Sequence, residues 1–346
     1  MIKNVPQNLL ITCAGRRNYL INYFKKELKD NGKIVAVDQD LSSAALTEAD
    51  VVYKVSGIDN RKYVDELKAI VKKEKVNAII SLNDIELPLL SKSKNEFAAL
   101  GAQVLVSDSD VIDMCFDKWQ TYLFLKNIGL STPSTFLSIN AVKKAIKKQE
   151  ISYPLIIKPR WGSASLGIHE VGNEAELMLA YQFLKIVMDK NSYYHPSLEG
   201  EVERIIIQEK IIGQEYGMDI LNDFNGKYYG SFVRKKIAMR CGETDKAISV
   251  IDKDYCKIGA VVGGKTGHIG IMDCDFLVSD EKVYFLEMNP RFGGGYPFSH
   301  EAGINITAIY LFWLKGRSDI EKFNNYRSGL GFAKFDQTVK IGNDHK

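Results

Sequence analysis

The 346-residue sequence has little of what marks the specialised classes of protein. It holds five cysteines, at positions 13, 115, 241, 256 and 274, an odd number with no Cys-x-x-Cys pair. That excludes a disulfide frame or a cysteine zinc site and fits reduced thiols, so the expectation is a cytoplasmic protein. Charge of one sign is scarce as well: 46 Lys and Arg stand against 43 Asp and Glu, a net +3. A nucleic-acid binder would carry a larger or more clustered basic excess, so no nucleic-acid partner is expected. Long apolar runs are missing. Leu9–Gly15 runs straight into Arg16 and Arg17, and Ile304–Leu314 is broken by Asn305 and Thr307, so neither reads as a signal core or a membrane span. With Gly at 27, Pro at 8 and 45% apolar residues, disorder, collagen and coiled coil are excluded as well. The length suits two or three compact units.

The first third alternates strand and helix patterns. Asn8–Ala14, Lys33–Asp38, Asn77–Leu82 and Gln103–Ser107 read as strands, with Tyr19–Lys29 and Arg61–Lys73 as helices and a further helical stretch to about Leu100. This is the pattern of a doubly wound, Rossmann-like parallel sheet, whose ligands sit beyond the carboxyl ends of the strands. Here those ends are Cys13–Arg17, Asp38–Asp40 and Asn83–Glu86. The first turn, Cys13-Ala14-Gly15-Arg16-Arg17-Asn18, lacks the Gly-x-Gly-x-x-Gly of a dinucleotide site, which argues against a nicotinamide dehydrogenase. Arg16 and Arg17 stand as anion contacts or as plain solvated charges.

Beyond residue 108 the pattern changes. One long helix is predicted over Ser109–Gly129, a strand over Tyr153–Lys158, and then a small hydroxyl-rich loop from Trp161 to Gly167. Such a loop frees backbone N–H groups that can hold phosphate. Asn173-x-x-Glu176 reads as a capping box opening a helix to about Met188, and the polar stretch Asp189–Glu203 has no assigned role. Ile205–Ile212 and Tyr216–Leu221 follow as strands. Asn225-Gly226 turns the chain into Lys227–Arg240, whose alternation puts Arg234, Lys236 and Arg240 on one face, solvated or meeting an anion. Cys241–Ala247 reads as a loop.

Two late strands carry the sharpest argument. In Ile269–Val278, Met272, Cys274, Phe276 and Val278 face one way, and Asp273 and Asp275 the other. In Val283–Asn289, Tyr284, Leu286 and Met288 oppose Glu287 and Asn289. A hairpin that keeps like faces together must pair Asp275 with Glu287 and Asp273 with Asn289, leaving Asp280-Glu281-Lys282 as the loop. Carboxylates that close repel unless a cation lies between them, and an all-oxygen set suits Mg2+.

With Glu287-Met288-Asn289-Pro290-Arg291, the preceding Asp275-Phe276 and the ordered spacing of the lysines, the chain resembles the ATP-grasp ligases. It looks closest to short proteins similar to one half of the carbamoyl-phosphate synthase large chain. The resemblance implies an N-terminal pre-ATP-grasp domain over residues 1–112 and linking helices over 113–150. A lid subdomain over 151–210 and a C-terminal antiparallel-sheet subdomain over 211–346 follow. It implies ATP and Mg2+ as cofactors, with Mn2+ as the alternative metal, held by Asp275, Glu287 and Asn289. Nucleotide contacts fall on Lys118, Lys158, the loop residues Gly162, Ser163, Ser165 and Gly167, the hinge Gln208-Glu209-Lys210-Ile211, and Glu215. Arg291 supports the transferring phosphoryl group, and Lys236 and Arg240 join it as catalytic cations. His300, just after the glycine run, is a candidate substrate contact. The implied reaction joins a small carboxylate to a small amine through an acyl phosphate, releasing ADP and phosphate. The alternative is a non-catalytic ATP-binding sensor or subunit of a carbamoyl-phosphate-synthase-like assembly. Carbamoyl phosphate synthesis by this chain alone is not expected, no membrane partner is expected, and a homodimer is compatible with everything above.

Overall fold

A computed structural model describes residues 6–162, 167–190 and 203–341. Three sheets follow one another along the chain. The first is built from β1 (Leu9–Thr12), α1 (Asn18–Leu28), β2 (Ile34–Asp38), β3 (Val51–Lys54), α2 (Tyr63–Glu74), β4 (Ala78–Ser81), α3 (Leu87–Lys92), α4 (Lys94–Ala98) and β5 (Gln103–Val104). All its pairings are parallel, in the order β3-β2-β1-β4-β5. Its central strands are apolar on both faces, as a sheet covered on both sides requires. Leu9 and Ile11 pack on one side with Leu20, Phe24 and Tyr310, while Leu10, Val35 and Val37 pack on the other with Leu67 and Val71. Because Tyr310 and Phe292 belong to that first cluster, the core runs on into the last third of the chain. The short edge strand β3 was not expected, because Val51–Lys54 is only half-buried and alternates weakly.

The predicted helix over 109–129 is two helices, α5 (Ser109–Phe116) and α6 (Lys118–Asn127). Asp117 breaks it: the residue is extended, its carboxylate accepts from the Trp119 and Gln120 N–H groups, and it takes a two-point ion pair from Arg160. An aspartate is a strong N-cap, and the buried guanidinium holds it in that role. Next come β6 (Thr135–Phe136), α7 (Ile139–Lys147), β7 (Leu155–Pro159), β8 (His169–Val171), α8 (Glu174–Lys190) and β9 (Ile205–Glu209). The four strands form an antiparallel sheet ordered β6-β9-β7-β8. Asn173 caps α8 as the sequence implied, its Oδ1 accepting from the Glu176 N–H at 3.0 Å.

The third sheet is antiparallel and six-stranded, in the order β14-β13-β10-β11-β12-β15. It comprises β10 (Gln214–Asn222), β11 (Tyr228–Arg240), β12 (Glu243–Val250), α9 (Lys253–Thr266), β13 (Ile271–Ser279), β14 (Lys282–Asn289), α10 (Tyr296–Glu301), α11 (Ile306–Leu314) and β15 (Gly331–Ala333). The expected loop over 241–247 is mostly strand. Cys241 and Gly242 alone turn the chain, both at positive φ, and β12 starts at Glu243. No described helix is long and apolar enough to cross a membrane.

The β13–β14 hairpin pairs Asp275 with Glu287 and Asp273 with Asn289, the register demanded by the alternation. Its turn is tighter than expected. Ser279 pairs with Lys282, and Asp280 and Glu281 take positive φ as a two-residue turn. The one-residue difference is absorbed by a bulge at Leu286, which lies between partners of the consecutive residues Asp275 and Phe276. As a result Phe285 enters the core beside Phe276, in the place expected for Leu286.

Candidate active site

Residues of β11, β12, β13 and β14 line one cavity of about 280 Å³, faced on the far side by the loops after β1 and β4. The C-terminal wall is a lattice of alternating charges. Arg234, 1% exposed, pairs with Asp219 at 2.8 Å and with Asp273. Lys236 bridges Glu215 and Asp275, each at 2.7 Å. The Asn289 amide donates to Glu287 Oε1 at 3.4 Å. Arg291 reaches out of this wall to Asp84 of the N-terminal sheet at 2.7 Å, with Asp273 at 3.8 Å behind it. Gly293 and Gly295 let the backbone close over this lattice: a Cβ on Gly293 would lie 2.0 Å from Asp273 Oδ2, and one on Gly295 2.2 Å from Arg234 Nε.

Burial pushes the Asp275 carboxyl up, with Asp273 and Glu287 adding to the shift against the opposing pull of Lys236. Asp273 and Glu287 thus repel the Asp275 carboxylate within the wall. Asp275, Glu287 and Asn289 offer hard oxygen donors on adjacent strands facing the cavity, and a divalent cation would relieve that repulsion. The set fits Mg2+ by its chemistry. Among the described residues no three His, Cys, Asp or Glu side chains are already gathered around a metal position, and Lys236 supplies Asp275 with its counter-charge.

The lysines approach from the other sheet. Lys158 is the penultimate residue of β7, is 8% exposed, and burial together with neighbouring Lys118 holds its pKa down at about 8. Lys118 opens α6, its ammonium donating to the Gly162 carbonyl at 2.5 Å. Burial lowers its pKa, while Glu287, Asp84 and Asp117 pull the other way. Lys118, Gly162, Glu287, Asn289 and Asp84 line one small cavity, so the expected nucleotide lysine and the expected metal carboxylate meet there. In the hinge segment Gln208 is buried and donates to Thr135 Oγ1 at 2.8 Å, Glu209 accepts from the Ser134 N–H, and Lys210 pairs with Glu170. Ile211 lies just past the end of β9, half-buried. Ser163 and Ser165 lie outside the described residues, as does most of the 189–203 stretch.

Two expected residues stand elsewhere. Arg240 does not share the face of Arg234 and Lys236. The ladder to β12 is irregular between Lys236 and Met239, so Met239 lines the cavity, while Arg240 pairs with Asp336 at 2.6 Å and Asp245 at 3.4 Å in an adjoining cavity that shares Glu243 and Thr244. His300 packs flat on Tyr23 of α1 at 3.6 Å between ring centroids and bonds the Tyr296 hydroxyl, and burial holds its pKa down at about 4. It is a packing residue between the two ends of the chain. Conversely, Asp84, Asp273 and Glu243 line the cavity without having been singled out as site residues, together with Arg17, an anion contact in one of its two readings. The signal for two of them was available, since Arg17 and Asp84 lie in the stretches at the carboxyl ends of parallel strands.

A parallel sheet is followed by two antiparallel sheets, with the buried Lys158 on one and the paired Asp275 and Glu287 on the other. Residues 115–295, more than half of the chain, match the family model described as ATP-grasp domain, and the chain belongs to the ATP-grasp family. Residues 9–105 match the model described as PylC-like, N-terminal domain. The carbamoyl phosphate synthase large chain of Campylobacter jejuni is 23% identical over 271 residues, which is 75% of this chain and 24% of that one. The arginine-specific large chain of Geobacillus stearothermophilus is 24% identical over 68% of this chain and 22% of its own length. The chain thus spans about a quarter of the length of these curated relatives. Among solved structures, biotin carboxylase from Campylobacter jejuni superposes with a TM-score of 0.72 at 18% identity, covering 92% of this chain and 73% of that one. An L-amino acid ligase from Bacillus licheniformis superposes with a TM-score of 0.70 at 18% identity, covering 96% and 81%.

Proposed function

We propose that the protein is an ATP-dependent carboxylate–amine ligase that forms an amide or peptide-like bond through an acyl phosphate and releases ADP and phosphate. The observation that carries this reading is the meeting of Lys118 with Glu287 and Asn289 at one point between the sheets, with Arg291 in the adjoining cavity wall. A carboxylate is a poor electrophile, and phosphorylation turns its oxygen into a leaving group that an amine can displace. Charge builds on the γ-phosphoryl oxygens during transfer, so the protein's task is positioning and cationic support. Lys118 and Lys158 are placed to hold the phosphates and Arg291 to steady the transferring group. Gln208, Glu209, Lys210 and Ile211 form the segment for the base, and Glu215 the contact for the ribose. Asp275, Glu287 and Asn289 would hold Mg2+, which neutralises phosphate charge when bound. Lys236, fastened to both Glu215 and Asp275, keeps those two carboxylates aligned. The substrates are a small carboxylic acid and a small amine, in keeping with a polar cavity. A nucleotide module retired from catalysis would have no need of so many buried charges held in register.

Incubation with MgATP and panels of small acids and amines, followed by chromatography of the spent nucleotide, tests the proposal. ADP and phosphate should appear one for one with the coupled product, and little of either without the acid. AMP and pyrophosphate as the main products would overturn the mechanism.

A further inference from the structure

Arg291 is the outer link of a chain of alternating charges that starts deep in the six-stranded sheet. Asp219 pairs with Arg234, Arg234 with Asp273, Asp273 with Arg291, and Arg291 with Asp84. The first three lie on β10, β11 and β13. Asp84 lies 207 residues from Arg291, in the loop after β4 of the parallel sheet. Its Oδ2 accepts from Arg291 Nη2 at 2.7 Å, the one carboxylate hydrogen bond of that guanidinium among the described residues. Asp273, whose Oδ2 lies 3.8 Å from Nη1, beyond hydrogen-bond reach, is an ion-pair partner only, and its Oδ1 is held by Arg234. Nη1 also donates to the Phe292 carbonyl at 3.3 Å, and Nε is buried without a partner. Both side chains of the Arg291–Asp84 pair are 10% exposed.

We infer that Asp84 is a positioning residue for Arg291, supplied to the ATP site by the N-terminal domain. The inference rests on the ligase reading through the role of Arg291 beside the transferring phosphoryl group. A free arginine side chain samples many rotamers, and fixing it before the nucleotide arrives removes that ordering cost from the bound state. One charge-assisted hydrogen bond at 2.7 Å, aided by a carbonyl, selects the rotamer and leaves the other N–H groups for the ligand. The parallel sheet is then a working part of the ATP site. Asp84 also faces Lys118 across the small cavity, so its charge acts on two of the cations around the phosphates.

The test uses the full chain and two probes, MgADP and a non-hydrolysable MgATP analogue, titrated calorimetrically into wild type, Asp84→Asn, Arg291→Lys and the double variant. If Arg291 touches the γ-phosphoryl group, Arg291→Lys lowers the preference for the ATP analogue over ADP, by about tenfold. If Asp84 acts through Arg291, Asp84→Asn lowers the same ratio by a similar factor, and the double variant falls no further than Arg291→Lys alone. An unchanged ratio in Asp84→Asn, or an equal loss of both affinities, makes Asp84 a mere tie between sheets and overturns the inference. An unchanged ratio in Arg291→Lys overturns the reading of Arg291 itself, and the inference with it. Should Asp84→Asn fail to fold, Asp84→Glu, which moves the charge by one methylene, is read in the same way.

Discussion

Replacing Lys158 by methionine removes a cation that the protein buries beside another cation, and the consequence for stability runs opposite to that for binding. Lys158 has no acidic partner at ion-pair distance among the described residues, and Lys118 adds repulsion to the loss of hydration. Its pKa falls from the ordinary 10.5 to about 8. A depression of that size corresponds to about 3 kcal/mol of folding free energy lost while the lysine is charged in both states. The sign follows from proton counting. Below about pH 8 the lysine is protonated folded and unfolded, and the full penalty applies; between about 8 and 10.5 only the unfolded chain holds the proton, so wild-type stability climbs with pH. Methionine has similar length and no charge, so Lys158→Met should raise the urea midpoint at pH 7, by up to about 3 kcal/mol in extrapolated stability, and the gain should vanish towards pH 10.5. Saturating MgATP should stabilise the wild type strongly and the variant little, because the anion is what repays the buried charge. A variant less stable than wild type at pH 7 would refute the reasoning, and so would one whose advantage did not fade with rising pH.

The bulge at Leu286 predicts that Phe285→Ala costs about 3–5 kcal/mol in urea unfolding, whereas Leu286→Ala costs about 1. Equal losses would contradict the bulge. Glu287→Gln keeps the shape of the proposed metal ligand and removes its charge, so ADP formation should drop about hundredfold or more with the melting temperature nearly unchanged. Near-normal turnover would dismiss the Mg2+ assignment. Arg240→Gln should leave ADP formation within about twofold of wild type, because Arg240 is half-exposed, ion-paired with Asp245 and Asp336, and lines the adjoining cavity and not that of Lys236 and Arg291. A larger loss in initial-rate assays would put Arg240 back among the site residues.

What the sequence revealed and what it hid divide along physical lines. The central strands of the parallel sheet and the pairing of Asp275 with Glu287 were legible because burial enforces a strict alternation or an unbroken apolar run. Three features escaped for lack of any such constraint. Asp117 sits between two helices as an N-cap, and Arg160, 43 residues on, holds its carboxylate there. Leu286 and the residues between Lys236 and Met239 interrupt a period of two, and one bulge is enough to exchange which side chains face the core. Strand β12 was mistaken for a loop because its exposed face is rich in polar residues and its inward ones are small. At the site, the lysines and acids of the two antiparallel sheets lie in short motifs, whereas Asp84 and Arg17 meet them only through the packing of separate sheets.

The glycine run after Arg291 has the look of a phosphate loop, yet Gly293 and Gly295 press on Asp273 and Arg234. Their missing side chains form a mould around a buried ion pair. Even an alanine at either position would have to dislodge a charged group from its ion pair. Because Asp273 also stands behind Arg291, the disturbance would pass along the charge lattice into the cavity. The two positions are thereby held to glycine by the charge lattice itself, although Gly295 also lines the cavity, and a small-residue scan would expose both as loss-of-function sites.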